Sequence, residues 1–358
     1  SASIPQHFDF SGGISLGENS THIAKFKTGI SSNNFGLMFQ THLDNTDGFK
    51  ELDGGGETGY DKKDFLFKGR LNTNSDFAAV EVKISQTEEL SHETYLGLTN
   101  SDFDKNPYRR YAASKNDLMD ANHDQITLTG VIKILQNLDL TSTVYNNDFH
   151  RNWYKLNKVN GDKIGSILNQ DEGTEVSYSL LSATNSDDDI YDIKANNRIY
   201  NSKGLQTILR SNFSLFNTNH NLMIGIRHHS DEMDRYQWSD LYKMNNGNLI
   251  MTTSGVKGEG SKNNRLYSAN ANSIFFEDEI KFNKFTVIAG TRYEEISLER
   301  KDWGNDLDRD STAASIKSAS LNVLIPGLGV SYQLANGIQI FTGIHNGFSP
   351  PGPGIADE

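Results

Sequence analysis

The sequence predicts an all-β protein, a transmembrane antiparallel up-and-down β-barrel, and three observations carry that prediction. Apolar and polar residues alternate with a period of two over many segments. The gaps between those segments alternate strictly between very short and very long. Hydrophobic content is only 35% and mean hydropathy −0.58, with no run of about 18 apolar residues, so a membrane helix is excluded while a strand-built span is not.

The gaps come first, because they separate a membrane barrel from a soluble β-sandwich. Tight turns fall at 18–20, 31–34, 72–75, 136–137, 217–220, 283 and 335–336. Long polar stretches lie at 41–62, 87–121, 148–199, 231–265 and 302–317. Every second hairpin therefore faces the same way, with short turns on one rim and long loops on the other. A membrane barrel has that asymmetry, short on the periplasmic side and long outside. A sandwich follows no such rule.

The strands follow in order at 8–16, 21–30, 34–42, 63–72, 76–86, 122–135, 138–149, 200–215, 220–232, 266–282, 284–300, 319–334 and 337–348. In the fifth, Ala78, Val80, Val82 and Ile84 share one face, opposite Ala79, Glu81, Lys83 and Ser85. In the sixth, Ile126, Leu128, Gly130, Ile132 and Ile134 oppose Gln125, Thr127, Thr129 and Lys133. The same holds for Leu222, Ile224 and Ile226 against Gly225 and Arg227, and for Phe285, Val287 and Ala289 against Gly290, Arg292 and Glu294. About 9–11 residues in register suffice to cross a bilayer at barrel tilt. Tyr145, Tyr293, Tyr332 and Phe348 near strand ends fit interfacial girdles. Thirteen is odd, whereas single-chain bacterial barrels close on an even count, so part of a larger barrel is expected.

Charge and composition remove other classes. Lys+Arg 34 against Asp+Glu 46 leaves −12, which argues against a nucleic-acid partner. Cys 0 excludes disulfides and thiolate chemistry. P-loop, HExxH and dinucleotide patterns are absent from the sequence. Gly13-Ile14-Ser15-Leu16-Gly17 matches a nucleophile elbow, but Ser15 sits in an alternating strand with no helix after it, so no enzyme is expected.

Several stretches then resemble a known family. Thr46-Asp47-Gly48-Phe49-Lys50-Glu51-Leu52 and Gly56-Glu57-Thr58-Gly59-Tyr60-Asp61-Lys62-Lys63-Asp64-Phe65 look like the second-loop region of TonB-dependent outer-membrane receptors, most like the ferric-dicitrate-receptor group. Tyr95-Leu96-Gly97-Leu98-Thr99, Asn106-Pro107-Tyr108-Arg109-Arg110-Tyr111 and Asn152-Trp153-Tyr154-Lys155-Leu156 fit the same picture. So do Ser202-Lys203-Gly204-Leu205-Gln206-Thr207, Gly225-Ile226-Arg227-His228-His229, Asp234-Arg235-Tyr236-Gln237-Trp238 and Gly343-Ile344-His345-Asn346-Gly347-Phe348-Ser349-Pro350-Pro351-Gly352. The resemblance implies a bacterial outer-membrane receptor that imports an iron–siderophore or ferric citrate complex. It further implies a barrel of about 22 strands around an N-terminal plug, energised through an inner-membrane TonB complex and bathed in lipid and lipopolysaccharide. Residues 1–358 are read as part of that barrel, with no plug or TonB box before Ser1 and further strands expected after Glu358. A passive porin and a surface-binding or adhesion barrel are the alternatives.

An anionic chelate calls for fixed cationic donors, and arginine's planar fork suits carboxylates. Candidate ligand residues are Arg109 and Arg110 beside Tyr108 in the third loop, with bracing against Asp102 and Asp104 as the competing role. His228, His229, Arg235 and Gln237 at the entrance to the fifth loop, and Trp153 at the fourth, complete the set. Adjacent histidines on a strand point to opposite faces, so the pair is not a metal site. Lys68, Arg70, Glu81, Lys83, Arg227, Arg292 and Glu294 are expected to face the lumen. No intrinsic cofactor is expected, the transported ligand being an Fe(III) chelate. The acidic groups Asp187-Asp188-Asp189 with Asp192, and Asp306, Asp308 and Asp310, read as solvated loops, with calcium the lesser alternative.

Overall fold

Thirteen strands pair antiparallel with their chain neighbours in the computed structural model, which describes residues 3–73, 77–94, 96–258, 264–310, 312–335 and 337–349. β1 (Asp9–Gly17), β2 (Thr21–Ser31) and β3 (Phe35–Thr46) begin the wall, and a short β4 (Glu51–Leu52) stands in the loop before β5 (Tyr60–Asn72) and β6 (Ala78–Ser91). The next loop holds α1 (Asn100–Lys105), β7 (Arg109–Arg110) and a 3-10 turn at Ala112–Ser114 ahead of β8 (Leu118–Leu135). β9 (Leu138–Val159) leads through β10 (Asp162–Lys163), α2 (Ile164–Leu168) and α3 (Glu175–Leu180) to β11 (Tyr191–Leu215). After β12 (Thr218–Tyr236), a hairpin of β13 (Trp238–Asn245) and β14 (Asn248–Thr253) precedes β15 (Asn264–Phe282) and β16 (Phe285–Asp302). β17 (Ser315–Ala335) and β18 (Ile338–His345) finish the wall, which is open, with β1 and β18 at the two ends of the strand order. The expected turns at 72–75 and 335–336, the loop beginning at 350 and residues Tyr95 and Ser311 lie partly or wholly outside the described residues.

The two faces separate as the alternation requires. Phe65, Phe67, Leu71, Val80 and Ile84 on β5 and β6 are exposed, while Lys68 on the opposite face is buried. Phe67 pairs with Ile84 and Lys68 with Lys83, so each rung keeps like faces together. Ile126, Leu128, Ile224, Ile226 and Ile274 continue the exposed aliphatic row across β8, β12 and β15.

Tyr145 departs from the girdle expectation. It pairs with Gly204, whose other partner is His229, and therefore lies on the inner face. A Cβ on Gly204 would stand 2.5 Å from the Tyr145 hydroxyl oxygen and 2.5 Å from the His228 carbonyl oxygen. The glycine is thus what lets the phenol cross β11 to reach β12. Phe275 lies over its partner Gly225 in the same manner.

The long strands outrun their sequence boundaries. β9 runs on to Val159 where 149 was expected, and β11 starts at Tyr191 where 200 was expected. About 9–11 residues cross the hydrocarbon, and the turns at the other rim are minimal, so the surplus projects at the loop end. There both faces are polar or covered by loops, and the alternation that marks a strand in lipid disappears while its hydrogen-bond ladder continues.

The largest dry core also sits at that end. Tyr111, Leu156, Val159, Ile167, Leu181, Tyr191, Ile193 and Met244 from three loops and two strands pack in one buried cluster. Two hairpins deliver parts of it through Asn160-Gly161 and Asn246-Gly247, with φ of 50° and 85°, then 50° and 76°. Positive φ at both central residues marks the tight turns that match strand twist. Gly204→Val should destabilise the folded barrel by about 1–3 kcal/mol through overpacking. Gly130→Ala, which meets nothing within 4 Å, should be close to neutral. Heat-modifiable mobility of the folded protein on gels checks both.

Candidate functional site

Inner-face side chains of six strands enclose a cavity of about 1030 Å³. Its walls include Gln125, Phe149, Tyr200, Arg227, His229, Tyr267, Arg292, Glu294 and Arg300. On one side the Tyr145 hydroxyl meets His229 Nδ1 at 2.5 Å and accepts from Arg227 Nη2 at 2.8 Å, while His229 Nε2 contacts Asp231 at 2.8 Å. Across the cavity Arg292 donates to Glu294 and to Ser273 Oγ at 2.8 Å. Toward the loop end, Arg151 pairs with Arg198, Arg198 with Arg235 and Arg235 with Arg265, one arginine per strand along a single rung. Arg198 and Arg265 of that row were not among the sequence candidates. Its signal is a register, which no single segment displays.

The other candidates divide. Lys68, Arg70, Glu81 and Lys83 share the inner face on β5 and β6, with Lys68 Nζ 3.9 Å from Glu81 and Lys83 donating to Gln125. His228 turns outward to Asn272 at 2.8 Å, opposite in direction to His229. Trp153 stands outside the cavity lining, with Lys155 Nζ 4.0 Å from its ring centre. Gln237 is fully buried between Asn196 and Arg235.

Loop three is likewise committed to structure. Arg109 grips Asp53 with Nε and Nη2, each at 2.9 Å, gives a further bond to Ser182 Oγ at 2.9 Å and pairs with Asp102 at 3.2 Å. A guanidinium with these partners braces the loops, the competing role that the sequence offered through Asp102. Arg110 donates to the Pro107 carbonyl at 3.1 Å, and Tyr108 is exposed with its ring edge-on to Phe49. The acidic loops are engaged too: Asp188 holds Lys243 at 2.8 Å, and Asp306 accepts the backbone N–H groups of Asp308 and Asp310. Among the described residues no three His, Asp or Glu side chains gather as metal ligands.

A family profile described as TonB dependent receptor-like, beta-barrel matches residues 83–357. The chain belongs to that family. Three solved structures share its fold. The ferric citrate transporter FecA, unliganded, superposes with a TM-score of 0.68 at 13% identity, covering 96% of this chain and 45% of that one. The siderophore receptor PiuA from Acinetobacter baumannii gives 0.74 at 9%, covering 96% and 50%. The ferric-catecholate import receptor Fiu from E. coli K12, open form, gives 0.67 at 11%, covering 95% and 55%. The chain thus spans about half the length of the solved proteins it matches. The curated proteins contain no match to its sequence.

In this TonB-dependent-receptor barrel the loops are fused into one cap by buried polar joints as well as by the apolar cluster. Asp102 is 3% exposed and receives hydrogen bonds from Tyr111 at 2.8 Å and Tyr178 at 2.6 Å. Although burial opposes ionisation, those hydroxyls and Arg109 hold its carboxyl below its ordinary pKa. Asp117 accepts from Thr94 Oγ1 at 2.5 Å and from the Leu156 N–H at 2.8 Å. There burial wins, and its pKa is pushed up to about 6. A carboxyl with a raised folded-state pKa stabilises the fold below its unfolded value, near 3.9, and loses that contribution as pH rises through about 6. The difference is about 3 kcal/mol between those limits. The cap should therefore exchange amide hydrogens in loop three more slowly at pH 5 than at pH 7.5, after correction for intrinsic rates. Asp117→Asn, which keeps an oxygen for the Leu156 N–H and turns its NH2 toward Thr94 Oγ1 as a donor, should flatten that dependence.

Proposed function

We propose that this chain forms a large part of the wall of a bacterial outer-membrane receptor that imports a ferric chelate. The observation that carries the reading is the cavity of about 1030 Å³ on the polar face, lined by arginine, histidine and tyrosine. Ligand pockets typically enclose about 300–1,000 Å³, so the space suits a small chelate. The printed descriptions of the similar structures, a ferric citrate transporter, a siderophore receptor and a ferric-catecholate receptor, agree with such a cargo. The exposed aliphatic row meets lipid and lipopolysaccharide, and the cap faces outward. In the full-length receptor the energy comes from an inner-membrane TonB complex, and the iron enters as cargo rather than as a resident cofactor.

Deleting the gene should abolish high-affinity uptake of radiolabelled iron supplied as citrate or siderophore complexes. Supplying the full-length gene should restore it only while the proton gradient stands. Uptake indifferent to that gradient, with steady conductance in planar bilayers, would identify a passive pore instead.

A further inference from the structure

We propose that the outer edge of β14 is a docking site for an extended peptide strand that alternates basic and apolar residues. The site lies on the cap hairpin, away from the cavity, and goes beyond the uptake reading.

The hairpin continues the sheet on the loop side of the point where β12 leaves β11. There β13 pairs with residues 191–195 of β11. Farther along, the same edge of β13 is closed by the fourth loop: the Ser186 N–H reaches the Met244 carbonyl at 2.9 Å, and the Gly247 N–H reaches the Thr184 carbonyl at 2.9 Å. β14, by contrast, has β13 as its one strand partner among the described residues. A bare row of backbone N–H and C=O groups is a template for pairing, and proteins usually blunt it with lysine, proline or a bulge. β14 reads Asn-Leu-Ile-Met-Thr-Thr, without charge or proline. Its one irregularity falls at the base, opposite Leu241 and Tyr242, and leaves 248–251 in register with 242–245.

The edge is also held in place. Leu249 packs against the buried cluster that contains Tyr242 and Met244. At the tip, Lys115 Nζ donates to the Gly247 carbonyl at 3.2 Å and to Asn248 Oδ1 at 3.0 Å. An edge ordered in advance spares a partner part of the cost of binding.

Side chains then select the occupant. Met251 lies opposite Tyr242 on the face that meets the core, and Ile250 lies opposite Lys243 on the other face. Both are exposed, so a strand laid alongside covers apolar surface on either side. On the Lys243 side, Asp188 stands 2.8 Å from the ammonium, and Asp189 accepts from Thr252 Oγ1 at 2.5 Å and Thr253 Oγ1 at 3.0 Å. With Asp187 next in sequence, three carboxylates outweigh the one lysine. Successive side chains of a strand face opposite ways, so the fitting partner turns basic residues to the acids and apolar ones to the core side. Main-chain hydrogen bonds supply affinity in this mode, and alternate side chains supply specificity. A second copy of the chain, carrying the same −12 charge, is repelled.

The test titrates fluorescein-labelled Ac-Lys-Val-Lys-Val-Lys-Val-amide into the purified full-length receptor and follows anisotropy. The Lys-Pro and Glu-Val hexapeptides of the same length serve as controls for charge without a strand and for a strand of the wrong charge. The Lys-Val peptide should bind, with both controls at least about tenfold weaker. Ile250→Lys should weaken it about tenfold while leaving Tm unchanged, because the side chain is exposed, and Ile250→Val should bind like the wild type. A carbon-13 carbonyl label in the peptide should shift to the strand position of the amide I band on binding. No binding of the Lys-Val peptide, equal binding of either control, or an unaltered affinity in Ile250→Lys would each overturn the assignment. A ligand-free dimer in analytical ultracentrifugation that Ile250→Lys dissolves would overturn it too, by giving the edge to a second copy.

Discussion

Backbone hydrogen bonding in lipid is the constraint from which this structure follows. Hydrocarbon offers no partner to a bare N–H or C=O, so the chain crosses only as laddered strands. Once laddered, successive side chains point to opposite sides, and a single choice of register fixes which row meets lipid. Phe67 and Ile84 on one side, and Lys68 and Lys83 on the other, are consequences of that choice. The cavity exists because the second row need not be apolar.

The same constraint moves the dry core away from where a soluble protein would keep it. The outward aliphatic residues of the wall, Ile126 and Ile224 among them, stand exposed and do not pack into a core. Buried packing is therefore concentrated in the cap, where Tyr111, Ile167, Leu181, Tyr191 and Met244 meet. Arg109, Asp53 and Asp102 tie separate loops at the same level, and β4 pairs with β7 in parallel between two of them. The loops accordingly form one folded body on top of the strand wall.

Within the wall, glycine and charge are placed by their neighbours across the sheet. Gly204 yields space so that Tyr145 reaches His229 and Arg227, and Gly225 lies beneath Phe275. The arginine row accepts repulsion that a purely structural sheet would avoid. These features require side chains from three or more strands, and each looks ordinary when its own strand is read alone.

That separates what the chain determined by itself from what only tertiary structure decided. The two-residue period and the alternating gaps were enough for thirteen strands in order, for an outer row such as Ile126 and Leu128, and for the opposed directions of His228 and His229. Such local signals survive in sequence because each residue's face depends only on its neighbours along the strand. Strand ends beyond 149 and before 200 were hidden because a ladder outside lipid needs no apolar alternation. The turns Asn160-Gly161 and Asn246-Gly247 did carry a readable hairpin signal within the loops. Arg109 pointed toward a ligand in the sequence, yet its partner Asp53 lies far away along the chain and became visible only once the loops had folded together. The arginine row is the plainest case: it is a property of registry between strands, and registry is set by the whole sheet.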